Sequence, residues 1–115
     1  MKYELLELEY KKHLAMITLN RPELLNALNA ELVSEFHGAI DEVGRNRNVR
    51  TLIITGQGRG FCSGADVTRW PEARPQEDQP TRTNSVGPGI IELAPHLRSI
   101  PQPVIAAVNG IAAGA

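Results

Sequence analysis

Thr51-Leu52-Ile53-Ile54-Thr55 runs directly into Gly56-Gln57-Gly58-Arg59-Gly60-Phe61-Cys62-Ser63-Gly64-Ala65-Asp66-Val67. The first five residues are apolar or β-branched, which predicts a buried strand. The small residues after it bring bare backbone to a surface, where a ligand can reach main-chain N–H groups. A second stretch repeats the order. Val104-Ile105-Ala106-Ala107-Val108 predicts a strand, and Asn109-Gly110-Ile111-Ala112-Ala113-Gly114-Ala115 reads as a turn entering an Ala/Gly helix start. In a parallel sheet both turns emerge at the same edge, the usual place for a ligand. Two converging backbone donors there form an oxyanion hole. The same residues also fit two tight packing turns with no ligand.

Upstream, residues 5–10 and 14–19 alternate, with Leu6, Leu8, Tyr10 and Ala15, Ile17, Leu19 on one face. This predicts a half-buried hairpin around Lys11-Lys12-His13. Asn20-Arg21-Pro22 breaks the second strand. Either Asn26 or Asn29 caps a helix running to about Arg45. Its stripe is Leu32, Val33, Phe36, Ala39, Ile40 and Val43, with Glu31 and Glu35 near its start and Arg45 and Arg47 near its end. Residues 69–89 hold Pro71, Pro75, Pro80 and Pro88 among polar residues. That composition predicts a flexible loop, a lid or an insert. Ile90 to Ser99 reads as helical, with Pro95 as a kink or an early turn. Pro101 and Pro103 bracket entry to the strand at Val104. Strands alternating with helices imply parallel pairing and an α/β layered fold.

At 115 residues a single domain is expected, with about two-thirds of its unfolded surface buried. A net charge of −1 argues against a nucleic-acid or membrane surface. The lone Cys62 excludes an internal disulfide framework and a multi-cysteine zinc site. The start, Met1-Lys2-Tyr3-Glu4, is acidic where a signal peptide is apolar, and no apolar run nears the ~20 residues of a membrane span. A soluble cytoplasmic protein is expected. The apolar end from Val104 to Ala115 is unlike a polar domain terminus, and a piece of a longer protein is expected.

Other motifs read more weakly. Gly56-Gln57-Gly58-Arg59-Gly60 suggests a dinucleotide loop, but Phe61 stands where the last glycine is needed and a proline-rich stretch follows. Cys62 and Ser63 lack a nearby base and the G-x-S-x-G pattern, so they read as packing residues. His13, His37 and His96 are scattered without metal-ligand spacing and read as ordinary surface or partly buried histidines. Asp66 caps a short turn from Val67 or faces a ligand, and Glu92 faces solvent or a pocket.

The chain resembles the enoyl-CoA hydratase/isomerase (crotonase) superfamily. Ala15-Met16-Ile17-Thr18-Leu19-Asn20-Arg21-Pro22 with Asn26-Ala27-Leu28 is similar to its opening motif. Gly58 through Val67 is similar to its first oxyanion motif. Ile100-Pro101-Gln102-Pro103 through Asn109-Gly110 leads into its signature. The resemblance implies a crotonase-like (ClpP/crotonase) ββα-repeat spiral fold, truncated before its second half. Residues 1–115 form the N-terminal part of that domain. It implies an acyl-CoA thioester substrate and an enolate held at the thioester carbonyl. The donors are the N–H groups of Ala65 and Ala115.

The resemblance also implies CoA contacts at Glu23, Leu24, Leu25, Ala27, Arg59, Phe61, Gly64, Ala65, Asp66, Val67 and Gly110, with Trp70 bordering the acyl pocket. Several relatives carry lysine where Glu23 stands, which removes a possible phosphate contact. No separate cofactor or metal is implied, because coenzyme A is part of the substrate. A homotrimer or hexamer is implied for the complete protein, and the acid/base glutamates lie beyond Ala115. Hydration is the expected reaction, with isomerisation or a non-catalytic fragment as alternatives. RNA binding, which some members perform through a lysine-rich helix, is opposed by Glu31, Glu35, Asp41 and Glu42 on a helix without lysine.

Overall fold

The computed structural model describes residues 2–67 and 89–115. The loop expected at 69–89 lies outside them except for Gly89, and so does Trp70. Strand β1 spans Leu6–Lys11 and β2 Leu14–Leu19. Helix α1 covers Ala30–Arg45, followed by β3 at Thr51–Gly56 and β4 at Gly60–Cys62. Helix α2 spans Leu93–Ser99, and β5 and β6 are Val104–Ala106 and Ile111–Ala112. Short 3-10 turns sit at Pro22–Leu24 and Ile90–Glu92.

The main sheet has the order β1-β2-β3-β5. The β1–β2 pair is antiparallel, as the hairpin pattern predicts, with Leu6 opposite Leu19 and Leu8 opposite Ile17. β2 and β5 both run parallel to β3, so α1 is the crossover between β2 and β3. Ala15, Ile17, Leu19, Leu52 and Ile54 form one core with Leu32, Val33, Phe36, Ala39, Ile40 and Val43 of α1. The 3.6-residue stripe thus covers the face that the strand alternation leaves apolar.

The helix begins at Asn29, whose Oδ1 accepts from the Leu32 N–H at 2.8 Å. At the other end, the buried Gln102 donates its side-chain amide to the carbonyl of Val43 at 2.9 Å. That contact adds a second donor to a carbonyl that already accepts from the Asn46 N–H at 3.0 Å. Pro95 lies in the first turn of α2, where its missing N–H costs no helical bond.

Several expectations need correction. β5 ends at Ala106 rather than Val108, although the Ala107 N–H still donates to Ile54 at 2.8 Å. The Ala113 N–H pairs with the Cys62 carbonyl at 3.0 Å, so the chain still runs beside β4 at that residue. The short strands β4 and β6 arise within stretches expected to be loop.

The histidines are not all scattered. His37 and His96 stack with ring centroids 5.0 Å apart, and their Nδ1 atoms lie at 2.7 Å. His37 Nε2 faces the Gly89 carbonyl at 2.8 Å, so that nitrogen carries a proton. His96 Nε2 faces Asp41 at 2.8 Å. The rings join α1 to α2. Glu92 uses its carboxylate locally, accepting from the Gly89 N–H at 2.9 Å.

The acidic face of α1 also has partners. Glu35 accepts from the N–H groups of Glu4 and Leu5, and Glu42 accepts from the hydroxyls of Tyr3 and Tyr10. Burial, reinforced by Glu42, pushes the Tyr3 phenol up to about 12. Burial and the Glu42 hydrogen bond push Tyr10 up as well. Folding therefore favours the neutral phenols. This stabilisation is complete below the unfolded value of about 10 and is lost as pH rises through the folded one. Urea midpoints are expected to fall between pH 10 and about 12, and the fall should be shallower in a Tyr3→Phe, Tyr10→Phe variant. Identical profiles would remove the two phenols from the alkaline transition.

Candidate active site

The turn from Gly56 to Gly60 is held by two asparagines. Asn26 is fully buried, and its Nδ2 donates to the carbonyls of Gln57 at 3.1 Å and Gly60 at 2.9 Å. Its Oδ1 accepts from the Arg21 N–H at 2.8 Å. Its φ of +57° follows a φ of +52° at Leu25, so Asn26 turns the chain rather than capping α1. Asparagine tolerates this left-handed conformation better than most residues. On the other side, Asn109 accepts from the Gly56 N–H at 3.1 Å and donates to Gly58 at 3.0 Å and Gly60 at 3.2 Å. With its carbonyls held in this way and a strand following, the turn is not a pyrophosphate loop.

Residues 60–66 lie between two neighbouring segments. On one side, the N–H groups of Ser63 and Asp66 donate to the carbonyls of Leu25 and Leu28, both at 3.0 Å. The Leu28 N–H donates to Gly64 at 2.8 Å, and Leu28 and Ala65 form a parallel bridge. On the other side, β4 pairs in parallel with β6, Gly60 with Ile111 and Cys62 with Ala112. The two small-residue turns therefore meet, as parallel strands imply.

The direction of the Ala65 N–H follows from this pairing. Gly64 has φ +99°, a conformation that favours glycine, and its carbonyl faces Leu28. In a trans peptide the N–H lies opposite the C=O, so the Ala65 N–H points away from Leu28. Gly114 lies close by, and a Cβ there would stand 4.0 Å from the Ala65 nitrogen. Among the described residues, nothing accepts this N–H. Gly114 has φ +69°, and Ala115 follows it, exposed like Ala65.

The other predicted contact residues fall into two groups. Leu25, Ala27, Phe61, Gly64 and Asp66 are partly or fully buried where 25–28 meets 60–66, whereas Glu23, Leu24, Arg59 and Val67 are exposed around it. Gly110 lies so close to the first turn that a Cβ there would stand 1.8 Å from the Arg59 carbonyl oxygen.

The side-chain nucleophile readings find no support. Burial pushes the Cys62 thiol up, which keeps it neutral. Ser63 Oγ lies 3.3 Å from the Leu24 carbonyl, to which it donates. Among the described residues, no group of histidine, cysteine, aspartate and glutamate could hold a metal, and no helix is long and apolar enough to cross a membrane. The architectural roles of Arg21, Asn26 and Asn109 were not anticipated. The local signals are an asparagine after a strand-breaking proline and an Asn-Gly pair.

Known proteins match this arrangement. A family model described as enoyl-CoA hydratase/isomerase covers residues 9–115. A Bacillus subtilis protein named as an enoyl-CoA hydratase/isomerase is 43% identical over 104 residues, covering 90% of this chain and 38% of its own. The 1,2-epoxyphenylacetyl-CoA isomerase of Escherichia coli is 40% identical over 105 residues, covering 91% of this chain and 40% of its own. An enoyl-CoA hydratase/carnithine racemase structure from Magnetospirillum magneticum superposes with a TM-score of 0.84 at 29% identity, over 98% of this chain and 42% of that one. The chain thus spans about two-fifths of the length of these relatives. The match runs from β1 through both turns to Ala115, so the chain belongs to the enoyl-CoA hydratase/isomerase family and shares its crotonase-like α/β fold.

Proposed function

We propose that the protein binds acyl-CoA thioesters and stabilises an enolate at the thioester carbonyl through the backbone N–H groups of Ala65 and Ala115. The observation that carries this reading is the Ala65 N–H, turned away from Leu28 beside Gly114 and accepted by nothing among the described residues. A fixed donor aimed at developing negative charge is worth ~3–4 kcal/mol to a transition state. No cofactor beyond the substrate's own coenzyme A enters the proposal. Among the described residues, Asp66, next to Ala65 in sequence, has its carboxylate paired with Arg21 at 3.1 Å, so the proposal gives it no acid/base role.

Hydration of a 2-enoyl-CoA is the primary reading. Double-bond isomerisation is the second, favoured by the likeness to a monofunctional enoyl-CoA isomerase structure from M. smegmatis, with a TM-score of 0.68 at 30% identity. The two reactions differ in what happens to conjugation. A hydratase consumes the conjugated absorbance of a 2-enoyl-CoA, whereas an isomerase creates it from a 3-enoyl-CoA. Full-length protein is expected to turn over one of these thioesters. Turnover of neither, with no binding of either, would sink the proposal.

A further inference from the structure

Arg21 lies beneath the candidate oxyanion donor. Its side chain is 10% exposed and that of Asp66 is 8% exposed. A buried guanidinium demands partners, and Arg21 has two. Nη1 donates to the Ala27 carbonyl at 2.6 Å, and Nη2 donates to Asp66 Oδ2 at 3.1 Å. These partners flank the Leu28–Ala65 bridge: Ala27 immediately precedes Leu28, and Asp66 immediately follows Ala65. One planar fork therefore ties together the two strands whose pairing sets the Gly64–Ala65 peptide plane. The fork is fixed in turn, because the Arg21 backbone N–H is held by the buried Asn26.

We infer that Arg21, acting through Asp66, is a positioning residue that sets the direction of the Ala65 N–H. The inference rests on the reading of Ala65 as a thioester donor. It gives Asp66 a structural use for its carboxylate, in place of the substrate contact that family resemblance implies. Both partners matter because the bridge has two sides. Lysine can reach one acceptor as a point charge but cannot span both as a fork.

The test uses full-length protein with Arg21→Lys, Asp66→Asn and an ester linkage replacing the Ala65 N–H. A 2-enoyl-CoA labelled at the thioester carbonyl is the probe. Its bound infrared stretch reports polarisation without requiring turnover. Arg21→Lys and Asp66→Asn are expected to bind the probe within about threefold of wild type. They should lose most of the carbonyl red shift and lower kcat about 10- to 100-fold, as misplacement of a catalytic group does. An unchanged red shift and kcat in both variants would overturn the inference. If Arg21→Lys does not fold in a thermal melt, the isosteric Asp66→Asn decides. Loss of folding in both also counts against a positioning role, because the β1–β2–β3 core does not depend on this pair. The ester separates the two levels. If it changes neither stretch nor kcat, the oxyanion reading itself falls; if it changes both while the side-chain variants do not, only the Arg21 inference falls.

Discussion

Gly110→Ala is expected to disable the paired-turn site while leaving the β1–β2–β3 sheet folded. The added methyl would lie 1.8 Å from the Arg59 carbonyl oxygen, 2.8 Å from its carbon and 3.2 Å from the Gly60 Cα. These are backbone atoms and cannot swing aside as a long side chain can. Nor is the first turn free to retreat, since Asn26 and Asn109 both hold Gly60, and Asn109 holds Gly58 as well. The relief left is separation of β6 from β4, which carries Gly114 away from the Ala65 N–H. Overpacking of this kind costs about 1–3 kcal/mol, and the steric overlap here belongs at the upper end. Loss of a positioned donor lowers kcat about 100-fold or more. Steady-state kinetics on an enoyl-CoA and hydrogen exchange at the Ala113 N–H provide the two measurements. Wild-type turnover with full protection at Ala113 would contradict the packing account.

Asn26→Leu is expected to destabilise the whole fold by about 3–5 kcal/mol. The side chain is fully buried, has the branched outline of leucine but a smaller volume, and makes three hydrogen bonds to backbone groups. Leucine leaves those buried groups without these partners and is forced into a φ of +57°. Asn26→Asp keeps the acceptor for the Arg21 N–H but sets a carboxylate against the carbonyls of Gln57 and Gly60. It should therefore be nearly as damaging. Urea denaturation provides the measurement, and a loss under about 1 kcal/mol would show that the turn is held by other contacts.

Both positions show why parts of this molecule were legible in the sequence and parts were not. The hairpin, α1 and β3 were readable because burial of one face imposes a local period on the side chains. Leu6–Lys11, Leu14–Leu19 and the stripe from Leu32 to Val43 all carry that period. β4 and β6 do not, since three and two residues are too short for a period to show. The choice between Asn26 and Asn29 as helix cap also could not be made locally. Both are asparagines ahead of an apolar stripe, and what separates them is that Asn26 finds acceptors 31 and 34 residues away. His37 and His96, 59 residues apart, meet for the same kind of reason.

For the proposed site, the sequence by itself determined the family. Two stretches of small residues, each after an apolar strand, predict exposed backbone, and their motifs place the chain in its family. Only the tertiary structure decided how the two stretches meet and which way their N–H groups point. The Ala65 N–H is directed by a glycine at positive φ, by a bridge to Leu28 and by a buried Arg21–Asp66 pair. Each of those long-range contacts joins groups far apart in the chain, and a contact of that kind leaves no periodic trace in the residues that make it. Side-chain pattern records which face is buried, whereas the direction of a single N–H is set by the peptide planes that distant partners hold in place.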